Sequence, residues 1–193
     1  DDVIVVTGSR LRRETFDSPN PTVQVGSERM DARQMSNTID AIEDLPLVGI
    51  GSNSRGTNVQ FGDNFAFPNV LSIGSQRTLS LLNGRRVVAS NQGTVFVPGN
   101  ASGAQVDLSM INPMLIERVD VLTATGGAIY GADAVGGVVN IITKDNFEGL
   151  DLRASAGVTQ VGDGEQYRAS GLWGGNFFDD RANITVSLDY FEQ

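Results

Sequence analysis

Histidine and cysteine are both missing from this sequence of 193 residues. Their absence excludes a disulfide framework, thiolate chemistry and any catalytic or metal site that depends on either side chain. Acidic residues are plentiful, but their spacing singles out no acid–base pair. We therefore expect no enzymatic activity, no cofactor and no bound metal.

The sequence also has no apolar run near the roughly 18 residues that a membrane-spanning helix needs, so any contact with lipid must be made by strands. The net charge of −9 argues against nucleic acid as a partner. With 40% apolar residues the chain can bury a core of its own, and its length predicts one or two domains.

The most informative stretch extends from Asn112 to Lys144. Asn112 can cap a short helix that begins at Pro113. The β-rich runs Glu117–Leu122 and Val138–Thr143 then predict two strands on either side of a loop made mostly of small residues. A glycine-rich loop between strands is most often structural.

A phosphate-binding loop is the alternative for this glycine-rich segment, since Gly126 and Gly131 have the required spacing. However, Ala132 and Asp133 follow where such a loop requires lysine and then serine or threonine. The carboxylate would also repel phosphate, so we do not expect a nucleotide site.

The same stretch resembles the end of the plug domain of TonB-dependent outer-membrane transporters, whose pattern begins I-E-R-[IV]-[ED]-V-L and ends G-G-V-[VI]-N-I-I-[TL]-K. The resemblance implies a domain that blocks a β-barrel of about 22 strands in the bacterial outer membrane and performs no bond chemistry. The matching residues are Ile116, Glu117, Arg118, Val119, Asp120, Val121, Tyr130, Gly131, Ala134, Gly136, Gly137, Val138, Asn140, Ile141 and Lys144.

A short β-branched run, Val3–Thr7, lies at the start of the sequence. From the residues alone it is compatible with an ordinary strand of the domain's own sheet. It also resembles the TonB box, which implies that TonB, with ExbB and ExbD, binds it in the periplasm by strand addition. The predicted TonB-binding residues are Asp2, Val3, Ile4, Val5, Val6 and Thr7.

The next part of the chain predicts a strand and two short helices. The strand is Thr22–Val25, and a helix over Glu28–Gln34 is capped by Ser27. Asn37 caps a second helix, with Asp40 three residues later in the manner of a capping box. The buried face of this helix and its end are predicted at Ile39, Ile42, Leu45 and Pro46.

Two long irregular stretches, Gly49–Val70 and Ala89–Ala104, are rich in amides and phenylalanine. The residues alone are compatible with surface loops, whereas the resemblance implies that both face outward and form the floor of a ligand cavity. Amides and flat aromatic faces favour an oligosaccharide or an aromatic compound over a ferric siderophore. The predicted substrate-binding residues are Asn53, Arg55, Gln60, Phe61, Asn64, Phe65, Asn91, Gln92, Phe96 and Asn100.

Between these stretches, Arg77–Leu82 predicts a strand, and Asn83 and Gly84 form a two-residue hairpin signal before the chain returns at Arg85–Val88. This run resembles the family pattern R-T-L-x-L-x-[ND]-G-x-R.

The chain departs from the family pattern just before this hairpin. Leu71 and Ser72 stand where the family has arginine and glycine. The family arginine is thought to pair with carboxylates of the barrel, so that pairing requires another arginine here. The predicted plug–barrel contacts are Arg77, Glu117 and Arg118.

Residues 149–193 predict three antiparallel strands in which apolar and polar residues alternate. Strands of about ten residues with one apolar face are typical of a transmembrane β-barrel, although the pattern alone also fits a soluble meander. Tyr167, Trp173 and Tyr190 suit the aromatic girdles of a barrel. Because three strands cannot close a barrel, we expect this chain to be a piece of a longer protein.

The predicted fold is an α+β plug domain, with a small mixed sheet, short helices and long loops, followed by the first three antiparallel strands of a transmembrane β-barrel. The predicted divisions are an N-terminal segment at 1–9, the plug at 10–146 and the barrel start at 147–193. The predicted function is the gate of an active transporter in the bacterial outer membrane, contacting lipid through its barrel. The alternative is a soluble β-rich binding or adhesin module.

Overall fold

The computed structural model describes residues 22–33, 35, 37–49, 65–90, 94–95, 101–102, 105–123, 126–157, 165–178 and 181–192. The chain divides into two compact units. The first contains the chain up to Ile111 together with Glu117–Thr143, and the second contains Asn112–Ile116 together with Lys144–Gln193. The predicted TonB-binding residues lie outside the described residues.

Short elements connected by irregular backbone make up the described chain. The strands are β1 (Thr22–Gly26), β2 (Thr78–Leu82), β3 (Arg85–Arg86), β4 (Thr94–Val95), β5 (Ala101–Ser102), β6 (Ile116–Thr123), β7 (Gly137–Thr143), β8 (Gly149–Gly157), β9 (Gln166–Phe177) and β10 (Ala182–Glu192). The α-helices are α1 (Ser27–Ala32), α2 (Asp40–Glu43) and α3 (Gly126–Tyr130), with 3₁₀ turns at Ser75–Arg77, Leu108–Met110, Pro113–Leu115 and Ala132–Ala134.

The first unit is built on a mixed sheet with the strand order β1-β6-β7-β2-β3. Strand β1 pairs antiparallel with β6, and β2 pairs parallel with β7. The β-branched and leucine side chains of these strands supply much of the core, because alternate residues of each strand face the same side of a sheet. Val25, Val119, Val121, Val139 and Ile141 are all buried.

The first two helices differ in part from the sequence prediction. Ser27 does not cap α1: Gly26 occupies the N-cap position, and no side chain caps this helix. Asn37 and Asp40 do exchange hydrogen bonds, since Asp40 Oδ2 accepts from Asn37 N and Asn37 O accepts from Asp40 N, each at 3.1 Å. The Asn37 side chain itself caps through Oδ1, which accepts from Ile39 N at 3.3 Å. The helix itself begins only at Asp40, after a turn. The predicted apolar face is buried, including Ile39 and Ile42.

The sequence predicted a loop between β6 and β7, and this prediction is wrong in part. The glycine-rich segment contains α3 and a 3₁₀ turn. Gly126, at the start of α3, packs so closely that an added Cβ would lie 2.7 Å from Val138 Cγ2. Tyr130 packs against the buried cluster formed by Leu79, Leu81, Leu122, Ala134 and Val138. Tertiary packing therefore stabilises a helix that two glycines at its start disfavour.

The hairpin predicted at Asn83 and Gly84 is present, with Leu82 paired to Arg85. Both turn residues have positive φ, 50° and 76°, as a turn of type I′ requires. Gly84 N also donates to Asn140 Oδ1 at 2.9 Å, and this bond attaches the turn to β7.

The second unit contains a three-stranded antiparallel sheet in the order β10-β9-β8. In register across the sheet, Leu150, Trp173 and Val186 lie side by side on one face, and all three are exposed. On the other face Arg168 and Asp189 form an ion pair at 2.9 Å. The predicted alternation of apolar and polar side chains is therefore present in β8 and β10 and is less regular in β9, where the buried Leu172 shares the polar face with Arg168.

Among the residues that the structure describes, no helix is long and apolar enough to cross a membrane.

The segment that leads into β8 lies against the second unit's own sheet. Asn183 Nδ2 donates to Phe147 O at 2.9 Å, and Lys144 Nζ lies 5.4 Å from the centre of the Phe147 ring. An added Cβ on Gly174 would lie 2.2 Å from Phe147 O, so only glycine leaves room for the backbone to pass here.

Candidate ligand-binding region

The predicted substrate-binding residues fall in two parts of the chain, which we call the first segment (residues 50–64, with Phe65 at its end) and the second segment (residues 91–104). Phe65 lies within the described residues and is half-buried. Asn53, Arg55, Gln60, Phe61, Asn64, Asn91, Gln92, Phe96 and Asn100 lie outside them. We call the described residues that flank the two segments the bases of the segments.

The bases of the two segments are joined to each other. Asp107 Oδ1 accepts a hydrogen bond from Ala66 N at 2.9 Å, across 41 residues of sequence. Leu108 N donates to Ala66 O at 2.9 Å, so the backbone of Ala66 is held on both sides. Ala66 has no exposed surface and Asp107 is 8% exposed, so water does not compete for these bonds.

The base of the second segment is closed by its own hydrogen bonds. Ser90 N donates to Gln105 O at 2.8 Å, which brings together the residues that precede and follow the segment. Asp107 N donates to Ser90 Oγ at 2.9 Å, and Gln105 Nε2 donates to Ser75 Oγ. Within the segment, β4 and β5 pair antiparallel.

An aromatic stack lies where the first segment returns to the core. The rings of Phe65 and Phe67 are nearly parallel, with 5.4 Å between their centres and 7° between their planes. Phe67 is buried, so it supports the ring of Phe65 from the core side. This arrangement positions Phe65 as a fixed aromatic surface.

The other end of the first segment is tied to the chain near residue 70. Gly49 N donates to Asn69 O and Leu71 N donates to Leu47 O, each at 2.8 Å. Leu71 and Ser72, which replace the family's arginine and glycine, both have positive φ, 59° and 56°. Left-handed backbone at two successive residues that are not glycine stores strain.

The predicted plug–barrel residues lie in two separate places. Arg77 is exposed, and its guanidinium donates to Ile73 O. Arg118 bonds to the exposed Glu117 at 3.1 Å and lies 3.4 Å from the carboxylate of Asp120. Whether these three residues contact a barrel stays a prediction.

Asp120 and Asp107 are the functional candidates that the sequence reading missed. Asp120 matches the family motif and is fully buried on β6, opposite Gln24 of the edge strand β1. Asp107 precedes Ser109 by two residues, a spacing that favours a side-chain cap of the following turn, and such a cap is present at 3.0 Å. Its bond to Ala66 has no local signal in the sequence.

Within the part of the chain that the structure describes, no cluster of acidic side chains could hold a metal ion.

Comparison with known proteins decides the family. A model of the TonB-dependent receptor plug domain matches residues 14–138, more than half of the chain. The chain belongs to this family. The predicted fold class, a small mixed-sheet plug domain followed by the first strands of a barrel, is confirmed.

Individual relatives agree with this assignment. The iron-regulated outer membrane virulence protein of Vibrio cholerae is 26% identical over 145 residues, which cover 75% of this chain and 20% of that protein. A mutant of the ferric enterobactin receptor of Pseudomonas aeruginosa is similar in structure, with a TM-score of 0.69 and 25% identity over 92% of this chain and 25% of that one. The siderophore receptor PirA of Acinetobacter baumannii shares the fold at 22% identity, with a TM-score of 0.65 over 88% of this chain and 24% of its own length.

The chain thus spans about a fifth to a quarter of the length of these relatives. The predicted location in the outer membrane of Gram-negative bacteria agrees with the relatives of this family and is confirmed at that level. The family is one of transport receptors and not of enzymes.

Proposed function

We propose that this plug domain gates a TonB-dependent receptor that imports a ferric siderophore across the outer membrane. The observation that carries the proposal is the family match over residues 14–138. The names of the relatives, an iron-regulated outer membrane protein and a ferric enterobactin receptor, support iron as the cargo. They favour a ferric siderophore over the oligosaccharide that the loop composition predicted.

An aromatic ligand remains the second candidate, because one described feature favours it. The Phe65 ring is half-buried and supported by Phe67, and such a ring offers a flat face for stacking. This candidate and the first differ in whether iron is required, so they can be separated by measuring binding of the ligand with and without its metal.

The start of the chain would couple the plug to the energy source for transport. We propose that residues Asp2–Thr7 pair as an added strand with TonB, which works with ExbB and ExbD. The β-branched side chains at Val3, Ile4, Val5 and Val6 suit an extended strand, and the run contains no proline. Ligand on the outward face would then alter the exposure of this run on the periplasmic face.

The functional division into residues 1–9, 10–146 and 147–193 is part of the same proposal. So is the assignment of Arg77, Glu117 and Arg118 to contacts between plug and barrel. The family match favours this division over the alternative of a soluble binding or adhesin module, which would have no barrel.

The test is uptake of radiolabelled iron by cells that carry the full-length receptor as their only route for a given ferric siderophore. We expect uptake to be saturable, to stop when the proton gradient is collapsed, and to be lost when residues 2–7 are deleted although ligand still binds at the surface. Uptake that survives the deletion would reject TonB coupling through this run. Failure to bind any ferric siderophore of a panel would reject the cargo class.

A further inference from the structure

Exposed apolar side chains surround the turn at residues 69–76, within the first unit. Among the described residues of this unit, six large apolar side chains are exposed, and four of them lie on this turn or on the segments bonded to it. Each of the four is between 37% and 54% exposed. One exposed apolar side chain is ordinary, but four around a single turn indicate a contact. We call these four residues the apolar surface: Leu47, Leu71, Ile73 and Val135.

Backbone hydrogen bonds join the three segments that carry the apolar surface. Leu71 N donates to Leu47 O, and Gly136 N donates to Arg77 O, each at 2.8 Å. Ile73 also lies against Gly136, since a Cβ added to Gly136 would be 3.2 Å from Ile73 Cγ1. The apolar surface is therefore formed by adjoining parts of the chain and not by scattered residues.

The turn presents its apolar side chains on a fixed backbone. Leu71 and Ser72 both have left-handed backbone, which costs energy in residues that carry a side chain. Such strain persists only where the surrounding structure imposes it. Here Gly74 N donates to Asn69 Oδ1 at 2.9 Å and closes the turn upon itself. The position of the Leu71 side chain is therefore imposed by the fold.

The turn also has no charge of its own. Residues 69–76 contain no acidic or basic side chain. Leu71 stands where the family has an arginine that is thought to pair with carboxylates of the barrel. Arg77, the next cation along the chain, donates from its guanidinium to Ile73 O and so bonds to the turn itself. The side chains of this turn therefore cannot make the ion pair of the family.

We propose that the apolar surface packs against the inner wall of the receptor's own barrel, and that this wall offers apolar side chains here instead of carboxylates. The chain spans about a fifth to a quarter of the length of its relatives, so most of that wall belongs to strands outside these 193 residues. Apolar contact has no fixed direction, so the plug can shift along such a wall without breaking an ion pair. The inference rests on the proposed function only in placing the plug inside a barrel, and neither the cargo nor TonB enters it.

Arginine at position 71 gives opposite results for an apolar and for an acidic wall. Leucine and arginine both carry a Cβ, so Leu71→Arg changes the charge and leaves the backbone strain as it is. An apolar wall would bury the cation without a partner, whereas carboxylates would pair with it.

The measurement is hydrogen exchange of the Val70 amide in the full-length receptor. This amide donates to Thr78 Oγ1 at 3.0 Å and directly precedes the substituted residue. We expect Leu71→Arg to accelerate its exchange about tenfold to a hundredfold, because a buried and unpaired charge displaces the turn. An unchanged or slower exchange would overturn the apolar contact.

Two control variants separate charge at this surface from other effects. Leu71→Met keeps an apolar side chain of similar volume, and the exchange of the Val70 amide should stay within about threefold of the wild-type rate. Val88→Arg places the same charge at a residue that is 87% exposed and lies outside the apolar surface, and the Val70 amide should not respond. Equal acceleration by Val88→Arg and Leu71→Arg would overturn the proposal, because the effect would not depend on the surface.

Photocrosslinking identifies what covers the apolar surface and does not depend on the stability of Leu71→Arg. Benzoylphenylalanine is incorporated at position 71 or 73 of the full-length receptor, and the crosslinked peptides are identified by mass spectrometry after irradiation. We expect peptides from the barrel strands. No crosslink, crosslinks confined to the plug, or crosslinks to another protein would overturn the proposal. If the receptor imports no ferric siderophore, the proposed cargo fails while both of these measurements still decide the contact.

Discussion

Gly49 lies directly against Ser72, so closely that a Cβ added to Gly49 would be 2.1 Å from Ser72 Oγ. Ser72 also has left-handed backbone, as does Leu71 before it. Serine in place of the family's glycine therefore has a structural cost at position 72, because a side chain disfavours this backbone conformation by roughly 1–2 kcal/mol per residue. Leucine in place of arginine at position 71 adds no such cost, since both residues carry a Cβ.

The first prediction concerns this contact. Gly49→Ala should destabilise the local structure by about 1–3 kcal/mol, the usual cost of overpacking. Ser72→Gly should stabilise it by about 1 kcal/mol, since glycine tolerates positive φ. In the Ser72→Gly background Gly49→Ala should cost less, because the nearest remaining atom is Cα of residue 72, at 3.0 Å.

The measurement is hydrogen exchange of the Leu71 amide, which donates to Leu47 O beside this contact. Gly26→Ala is the control, since an added Cβ there meets nothing within 4 Å. Equal costs for Gly49→Ala in the two backgrounds would show that Ser72 is not what confines Gly49.

The second prediction concerns the buried Asp120 and its neighbour Arg118. Arg118→Ala leaves a fully buried carboxylate without this cation, and we expect a loss of about 3–5 kcal/mol. Asp120→Ala should cost less, about 1–3 kcal/mol, because the Arg118 side chain is 20% exposed and keeps Glu117 as a partner.

The loss of stability is measured by hydrogen exchange of the Val121 amide in β6. The control is Glu117→Ala, which should change the stability by less than about 1 kcal/mol because Glu117 is an exposed partner of Arg118. A larger loss of stability in Asp120→Ala than in Arg118→Ala would show that the unpaired buried carboxylate is not the main cause of the loss.

Several features could be predicted from the sequence because their causes are local. The turn at Asn83 and Gly84 follows from residue types that accept positive φ. Strands β8 and β10 follow from the alternation of apolar and polar residues, which is weaker in β9, where Leu172 and Trp173 are adjacent. The short turn that begins at Pro113 and its cap by Asn112 could likewise be predicted, because both depend on neighbouring residues.

The features that were missed depend on contacts distant in sequence. Helix α3 begins with two glycines, and its packing against Val138 outweighs their low helix propensity. The cap expected at Ser27 failed because Gly26 adopts the extended backbone of the N-cap position instead. The bond between Asp107 and Ala66 joins residues that are 41 positions apart, and no local pattern around either residue predicts it.

The third prediction uses the close contact between Gly174 and Phe147. An added Cβ at residue 174 would meet Phe147 O at 2.2 Å, so Gly174→Ala should displace the segment that enters β8. Asn183→Ala should act in the same direction, because Asn183 Nδ2 holds the same carbonyl.

Because these 193 residues contain no cysteine, Asp145→Cys introduces a spin-label site on this segment that is unique within the sequence. The label should become more mobile in both variants. Gly157→Ala is the matched control within the sheet, where an added Cβ meets Gln166 Cβ only at 3.9 Å, and the label should be unaffected. A label that is equally mobile in wild type and Gly174→Ala would show that Phe147 does not hold the segment.

The fourth prediction separates strand addition from other ways of binding TonB. Val5→Pro removes one backbone N–H and fixes φ in the middle of the run Val3–Thr7, whereas Val5→Thr keeps the N–H and a β-branched side chain. If TonB pairs with the backbone of this run, proline should weaken binding of its periplasmic domain to the full-length receptor at least about tenfold, while threonine should change it little. Siderophore binding at the outer face should be the same in both variants, because the substitution leaves both segments intact. Equal loss with proline and threonine would mean that side chains and not backbone pairing determine recognition, and no loss with either would place the TonB contact elsewhere in the chain.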